Sequence, residues 1–267
     1  MPLAIAASRT ASEYIAPRSS SHRPATPAKN PRASCIPLPP RNPFDLLPPA
    51  PIPLAKGYPL PLTNLEEGTG GTYVGNLLAR LRTAPIVAAI RREELTAEAL
   101  TSPVAACFFL TGNLLNLERL VREVKKVGKS VGVHLDLLEG IAPDRYGIKF
   151  LASLGVDTLI TTRSHLVHLI KEEGVLAIQR VFLLDSGALQ TASRVVREAN
   201  PDAVEVLPGL IYHHLAGEVR RVISVPIIAG GFIRTVEEAK EALRAGALAV
   251  STSMQALWAH QDWGLRR

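Results

Sequence analysis

Two short stretches near the C-terminus have the composition of an anion site. One apolar run stops at Gly230 and Gly231, and the next, after a helix-patterned segment, stops at Ser251, Thr252 and Ser253. Glycine lets backbone N–H groups approach an anion because no Cβ stands in the way. Three hydroxyl donors at the start of a following helix would add to its favourable dipole. Turn glycines and an N-cap serine would explain each half separately. Both halves on consecutive strand ends point to a phosphate.

A second constellation lies in HLDLLEG. His134 and Asp136 are two apart in a strand pattern, so both are expected on one face. There they could bind a metal, move a proton, hydrogen-bond a ligand, or form a satisfied buried pair. A divalent-metal site needs further ligands, and only Asp185 and Glu205 end neighbouring runs, which leaves a metal under-supplied. The third cluster is basic. Arg163 and Arg180 end two strands and Arg91 ends the first, a set suited to phosphate or carboxylate and equally open to structural pairing. No Ser-His-Asp order, reactive cysteine context or strand-end lysine is visible. The residues read as a binding site without catalytic residues or cofactor.

What could position such groups? From residue 84 onward, short β-branched apolar runs alternate eight times with amphipathic stretches of helical period. The runs are PIVAAIR, AACFFLTG, SVGVHLDL, DTLITTR, VLAIQRVFLLDS, AVEVLPG, VPIIAGG and ALAVSTS. Strands apolar throughout and separated by helices imply a parallel sheet covered by helices. Eight units predict an α/β fold of the compact (β/α)₈ type over residues 84–263, with an open doubly wound sheet as the alternative. Either fold places ligands at the C-terminal strand ends, where these polar residues lie. Thr235 and Glu238 have capping-box spacing at the start of the penultimate helix.

Charge and proline separate the chain into two regions. Residues 1–62 carry seven Lys/Arg against Glu13 and Asp45, and so account for +5 of the net +6. They also hold 15 of the 21 prolines. Residues 1–80 are therefore expected to be a disordered or polyproline tail, dispensable for binding. Their start lacks the basic region of a secretory signal. Their acid-poor, Arg/Ser-rich composition leaves an organelle transit peptide as the alternative to the cytoplasm, where free Cys35 and Cys107 would stay reduced. No apolar run is long enough to span a membrane.

Several ordered motifs together carry a resemblance. HLDLLEGI, YGIKFL, TTRSH, AIQRVFLLDSGAL, EVLPG and IIAGGFIRTVEEAKEALRAGALAVSTS, with a following LW, resemble the glycerol-3-phosphate-responsive antiterminator family from about Pro85 to Trp258. The resemblance implies a barrel that senses glycerol 3-phosphate and acts on leader mRNA, so that transcription passes a terminator ahead of glycerol-catabolic genes. It makes Asp136 and Glu205 acceptors for the glycerol hydroxyls, with His134, Arg163 and Arg180 as further polar contacts. A homo-oligomer is compatible with it. Gly187 and Met254 stand where the family leads one to expect more polar residues. The proline-rich segment has no counterpart in the resemblance and is read as an added arm or a misassigned start. The alternative is a metal-dependent sugar-phosphate epimerase, which HLDLLEG also resembles through its strand-end His-x-Asp.

RNA is the least supported partner, because the chain beyond residue 62 is nearly neutral. Three basic patches exist: Arg119, Arg122, Lys125, Lys126 and Lys129; Arg194 and Arg197; Arg220 and Arg221. Solvated helix faces would explain each of them.

Overall fold

The computed structural model describes residues 72–264. The expectation for residues 1–71 lies outside them. Eight parallel strands, β1 (Ile86–Ile90), β2 (Ala106–Phe109), β3 (Ser130–His134), β4 (Thr158–Thr161), β5 (Leu176–Phe182), β6 (Ala203–Leu207), β7 (Ile227–Gly230) and β8 (Ala249–Thr252), close into a barrel in sequence order. Closure is made by β8 against β1, with Val87 opposite Ser251. The open-sheet alternative is thereby excluded.

Alternation within each strand explains the unbroken apolar runs. Val87, Phe108, Ile160, Ile178 and Ile228 fill the barrel interior. Ala88, Val131, Leu159, Val204 and Val250 face outward beneath the helices. The helices α2 (Thr96–Thr101), α3 (Leu117–Lys126), α4 (Arg145–Ser153), α5 (Ser164–Glu172), α6 (Ser186–Ala199), α7 (Tyr212–Val222), α8 (Val236–Arg244) and α9 (Gln255–Ala259) follow the strands in turn. The first of these is the stunted one that EELTAEAL predicts, a 3₁₀ turn at Glu93–Leu95 followed by six α-helical residues. The capping box of α8 is formed as its spacing indicates, Thr235 accepting from Glu238 N–H. Gly132 exists for packing, since a Cβ there would stand 2.4 Å from the Phe108 ring that fills the barrel.

One boundary needs correction. Residues 72–80, expected to belong to the tail, begin a helix, α1 (Thr72–Leu81). Leu77 and Leu81, one turn apart, are buried with Val87, Ala106 and Leu176 at the N-terminal floor of the barrel. Arg80 fixes the helix by donating to the Gly128 carbonyl at 3.0 Å. The apolar spacing that ends in Leu77 and Leu81 belongs to the fold. Trp258 and Trp263 are both buried, and each indole N–H donates to a nearby carbonyl.

Candidate functional site

At the C-terminal mouth a cavity of about 280 Å³ lies over the ends of β5 to β8 and β1, lined among others by Arg91, Arg180, Glu205, Gly231, Arg234, Ser251 and Ser253. Its centre is organised by an ion pair. Arg180 Nε donates to Glu205 Oε2 at 2.7 Å, with the two side chains only 10% and 2% exposed. Gly230 makes room for this pair, because a Cβ on it would stand 2.8 Å from Glu205 Oε1. Gly230 is thus required by the carboxylate beneath it, a reason distinct from the anion approach that its sequence position suggests. Gly231 serves the turn itself, with φ of 82° followed by Phe232 at 63°. Two successive left-handed residues reverse the chain sharply after β7, and at Phe232 that conformation carries strain.

Among the described residues the backbone N–H groups of Gly231, Phe232 and Ser253 donate to no protein acceptor, and all three residues line the cavity. Arg91 and Arg234 also line it, and neither pairs with a described carboxylate. Three arginines therefore line it against one carboxylate. The excess is positive and suited to a small phosphate monoester.

The other candidates separate. Ser251 is buried on the inward face of β8, whereas Thr252, which also lines the cavity, has its hydroxyl already committed, donating to the Ile233 carbonyl at 2.9 Å and accepting from Met254 N–H. Its hydroxyl does not join the cradle. His134 ends β3 with both ring nitrogens buried and unpartnered. Asp136 does not share its face, because the strand stops at His134 and a 3₁₀ turn, Leu135–Leu137, swings the carboxylate towards β4. There it accepts from Thr161 Oγ1 at 2.9 Å, Thr162 N–H at 2.7 Å and Thr162 Oγ1 at 2.8 Å, and faces Arg163 at 3.5 Å. Burial pushes the Asp136 carboxyl up, but these hydrogen bonds together outweigh it and hold it below the usual carboxylate range. Asp136 and Arg163 thus clamp the β3 and β4 loops and do not line the cavity.

Residues 86–258 match the family described as glycerol-3-phosphate responsive antiterminator. The chain belongs to that family. Over 183 residues it is 33% identical to an uncharacterized protein, YgcP, of Escherichia coli strain K12, spanning 68% of this chain and 95% of that one. Its fold is similar to the crystal structure of a glycerol uptake operon antiterminator regulatory protein from Listeria monocytogenes, with TM-score 0.61, 32% identity, and coverage of 65% of this chain and 94% of that one. A glycerol uptake operon antiterminator-related protein from Thermotoga maritima is similar in the same way, with TM-score 0.60, 31% identity, and coverage of 67% and 99%.

Within this antiterminator fold, sequence reasoning passed over Arg234, while Arg91 was already grouped with Arg163 and Arg180 as a cluster suited to phosphate. Arg234 sits two residues beyond the strained turn, inside the loop of GGFIRT, and the spacing after the double glycine was the available signal. No group of three metal-ligating side chains is found among the described residues.

His134 supplies a pH test. Burial, followed by the nearby Arg180 charge, lowers its pKa from 6.5 to about 4, against an upward pull from Asp136. Between those values the unfolded chain binds more protons than the folded one. The stabilisation is complete above about 6.5 and is lost as pH falls towards 4, by up to about 3 kcal/mol. Urea unfolding across that window should show this loss in the native protein and a smaller one in His134→Leu.

Proposed function

We propose that this antiterminator-family chain senses glycerol 3-phosphate in the mouth cavity and, when loaded, acts on the leader mRNA of glycerol-catabolic genes in the cytoplasm. It performs no covalent chemistry on the ligand and needs no cofactor. The observation that carries the reading is the three-arginine cavity of about 280 Å³, closed by the Gly231 turn. Its size suits a three-carbon phosphate, and its charge suits a dianion. The phosphate lies against Arg91, Arg234 and the N–H groups of Gly231 and Ser253, with the Ser253 hydroxyl alongside. The glycerol hydroxyls reach inward towards Ser251, Glu205 and Arg180, while His134, which does not line this cavity, stays a neutral imidazole near Arg180. Asp136 acts on this site only through the loop it holds.

The enzyme alternative is not favoured. It depends on His134 and Asp136 converging on one metal, and the 3₁₀ turn sends the carboxylate elsewhere.

Calorimetry tests the reading. Glycerol 3-phosphate should bind, and glycerol should bind far more weakly. Arg234→Gln should weaken the phosphate ester by about 10- to 100-fold, the value of a charge-assisted hydrogen bond. Equal affinity for glycerol and its phosphate would remove the anion cradle from consideration.

A further inference from the structure

Basic residues in the last turn of a helix are ordinary, since they complement the helix dipole. What distinguishes them in this barrel is whether a carboxylate answers them. On α3 most of the charges are neutralised: Arg119 pairs with Glu93 and Glu123, Arg122 with Glu118, and Lys125 with Asp157. Lys129 donates to the Ser102 and Val104 carbonyls. At the end of α5, Lys171 pairs with Asp202. Three of the five charges in the first basic patch are therefore answered by carboxylates, Lys126 alone standing exposed without a described partner.

The opposite side differs. Arg194 and Arg197 on α6, Arg220 and Arg221 on α7, Arg244 on α8 and Arg82 after α1 are exposed, and none has a carboxylate partner among the described residues. Arg197 reaches only the Ser193 hydroxyl, and Arg221 only the Gly217 carbonyl. Glu198, Glu218 and Glu241 are the acidic residues nearest in sequence, on α6, α7 and α8; none forms an ion pair with these arginines, and Glu241 faces His213. The three helices are adjacent, because Ser193 on α6 donates to the Val222 carbonyl at the end of α7 and the Arg220 guanidinium lies over Gly246 in the α8–β8 turn. Helices following parallel strands run back towards the strand N-termini, so these last turns gather at the floor end. There Arg82, Arg220, Ser224 and Gly246 border a depression of about 480 Å³ beneath β7 and β8.

Five arginines on three helices spaced about 8–10 Å axis to axis, with Arg82 beside them, exceed what one small anion can engage. They suit a chain of phosphates. We infer that the floor-end face of α6, α7 and α8, around Arg82 and Arg220, is the surface on which this protein holds RNA. The inference rests on the antiterminator reading and adds the face to it. Ligand and RNA then occupy opposite ends of β7 and β8, and the ligand's dianion never faces the polyanion.

The test uses the full chain with glycerol 3-phosphate present and a fluorescent random-sequence RNA pool, titrated at several salt concentrations. Replacing Arg194, Arg197, Arg220 and Arg221 together with glutamine should weaken RNA by about 30-fold or more and flatten the log K against log salt slope by about 3. Glycerol 3-phosphate affinity should be unchanged, which reports a folded barrel. Arg119→Gln with Arg122→Gln on α3, both of which are ion-paired, should change RNA affinity by less than about twofold. Ultraviolet crosslinking of the unaltered protein, read by mass spectrometry, should place adducts on α6, α7 and α8. Crosslinks confined to the mouth loops or to residues 1–62, or a quadruple variant that binds RNA normally, would overturn the face and leave the antiterminator reading standing. Loss of binding to phosphatidylglycerol vesicles with RNA binding intact would assign the face to a membrane instead. A native protein that binds glycerol 3-phosphate but no RNA would remove both.

Discussion

Arg180→Met is expected to lower the unfolding free energy by about 3–5 kcal/mol and to abolish glycerol 3-phosphate binding. Glu205 is 1% exposed and its bond to Arg180 Nε is its sole ion pair among the described residues. Removing the guanidinium leaves a carboxylate in the barrel with its desolvation uncompensated, and breaking such a pair costs more than the pair contributes. The double variant Arg180→Met, Glu205→Leu separates the two consequences. It removes both charges, so most of the stability should return. Binding should not, because the cavity has then lost one of its three cations. Chemical denaturation of both variants, followed by calorimetry on the double variant, checks this. A single variant as stable as the native chain would mean that Glu205 finds water or another donor at the mouth.

The second large effect is at the other end. Leu81→Asp should cost more than about 4 kcal/mol and leave the barrel unfolded or partly open at physiological temperature. Leu81 is fully buried at the floor among Val87, Ala106 and Leu176. A carboxylate there has no described partner, and the side chain it replaces contributes about 2–5 kcal/mol by itself. A deletion ending at residue 71 should leave the melting temperature and glycerol 3-phosphate affinity unchanged, whereas one ending at residue 81 should lose both. Thermal melts of the two truncations would decide it. Equal stability would show that α1 merely rests on the floor.

The alternating runs from residue 84 determined the barrel by themselves, because strand and helix periods are local properties of a chain and eight right-handed parallel units have few ways to close. The residue types at the ends of β7 and β8 were legible for the same reason, since a strand end in this fold is a site by topology. What the sequence left open depends on where a side chain turns after its strand stops, and on partners distant along the chain. Asp136 could not be placed from its spacing to His134, because one 3₁₀ turn replaces a strand step and three donors from Thr161 and Thr162, at and just after the end of β4, capture the carboxylate. Thr252 read as part of a hydroxyl run, yet its hydroxyl is already bonded to the Ile233 carbonyl. Arg91 and Arg234 stand 143 positions apart in the chain, and only closure of β8 against β1 brings them to one cavity. Net charge was equally opaque to counting. Lys125 meets Asp157 across 32 residues, while Arg220 meets no described carboxylate, so the positive field collects on one side of a nearly neutral barrel. Electrostatic potential falls with distance in space, and the folded chain sets those distances.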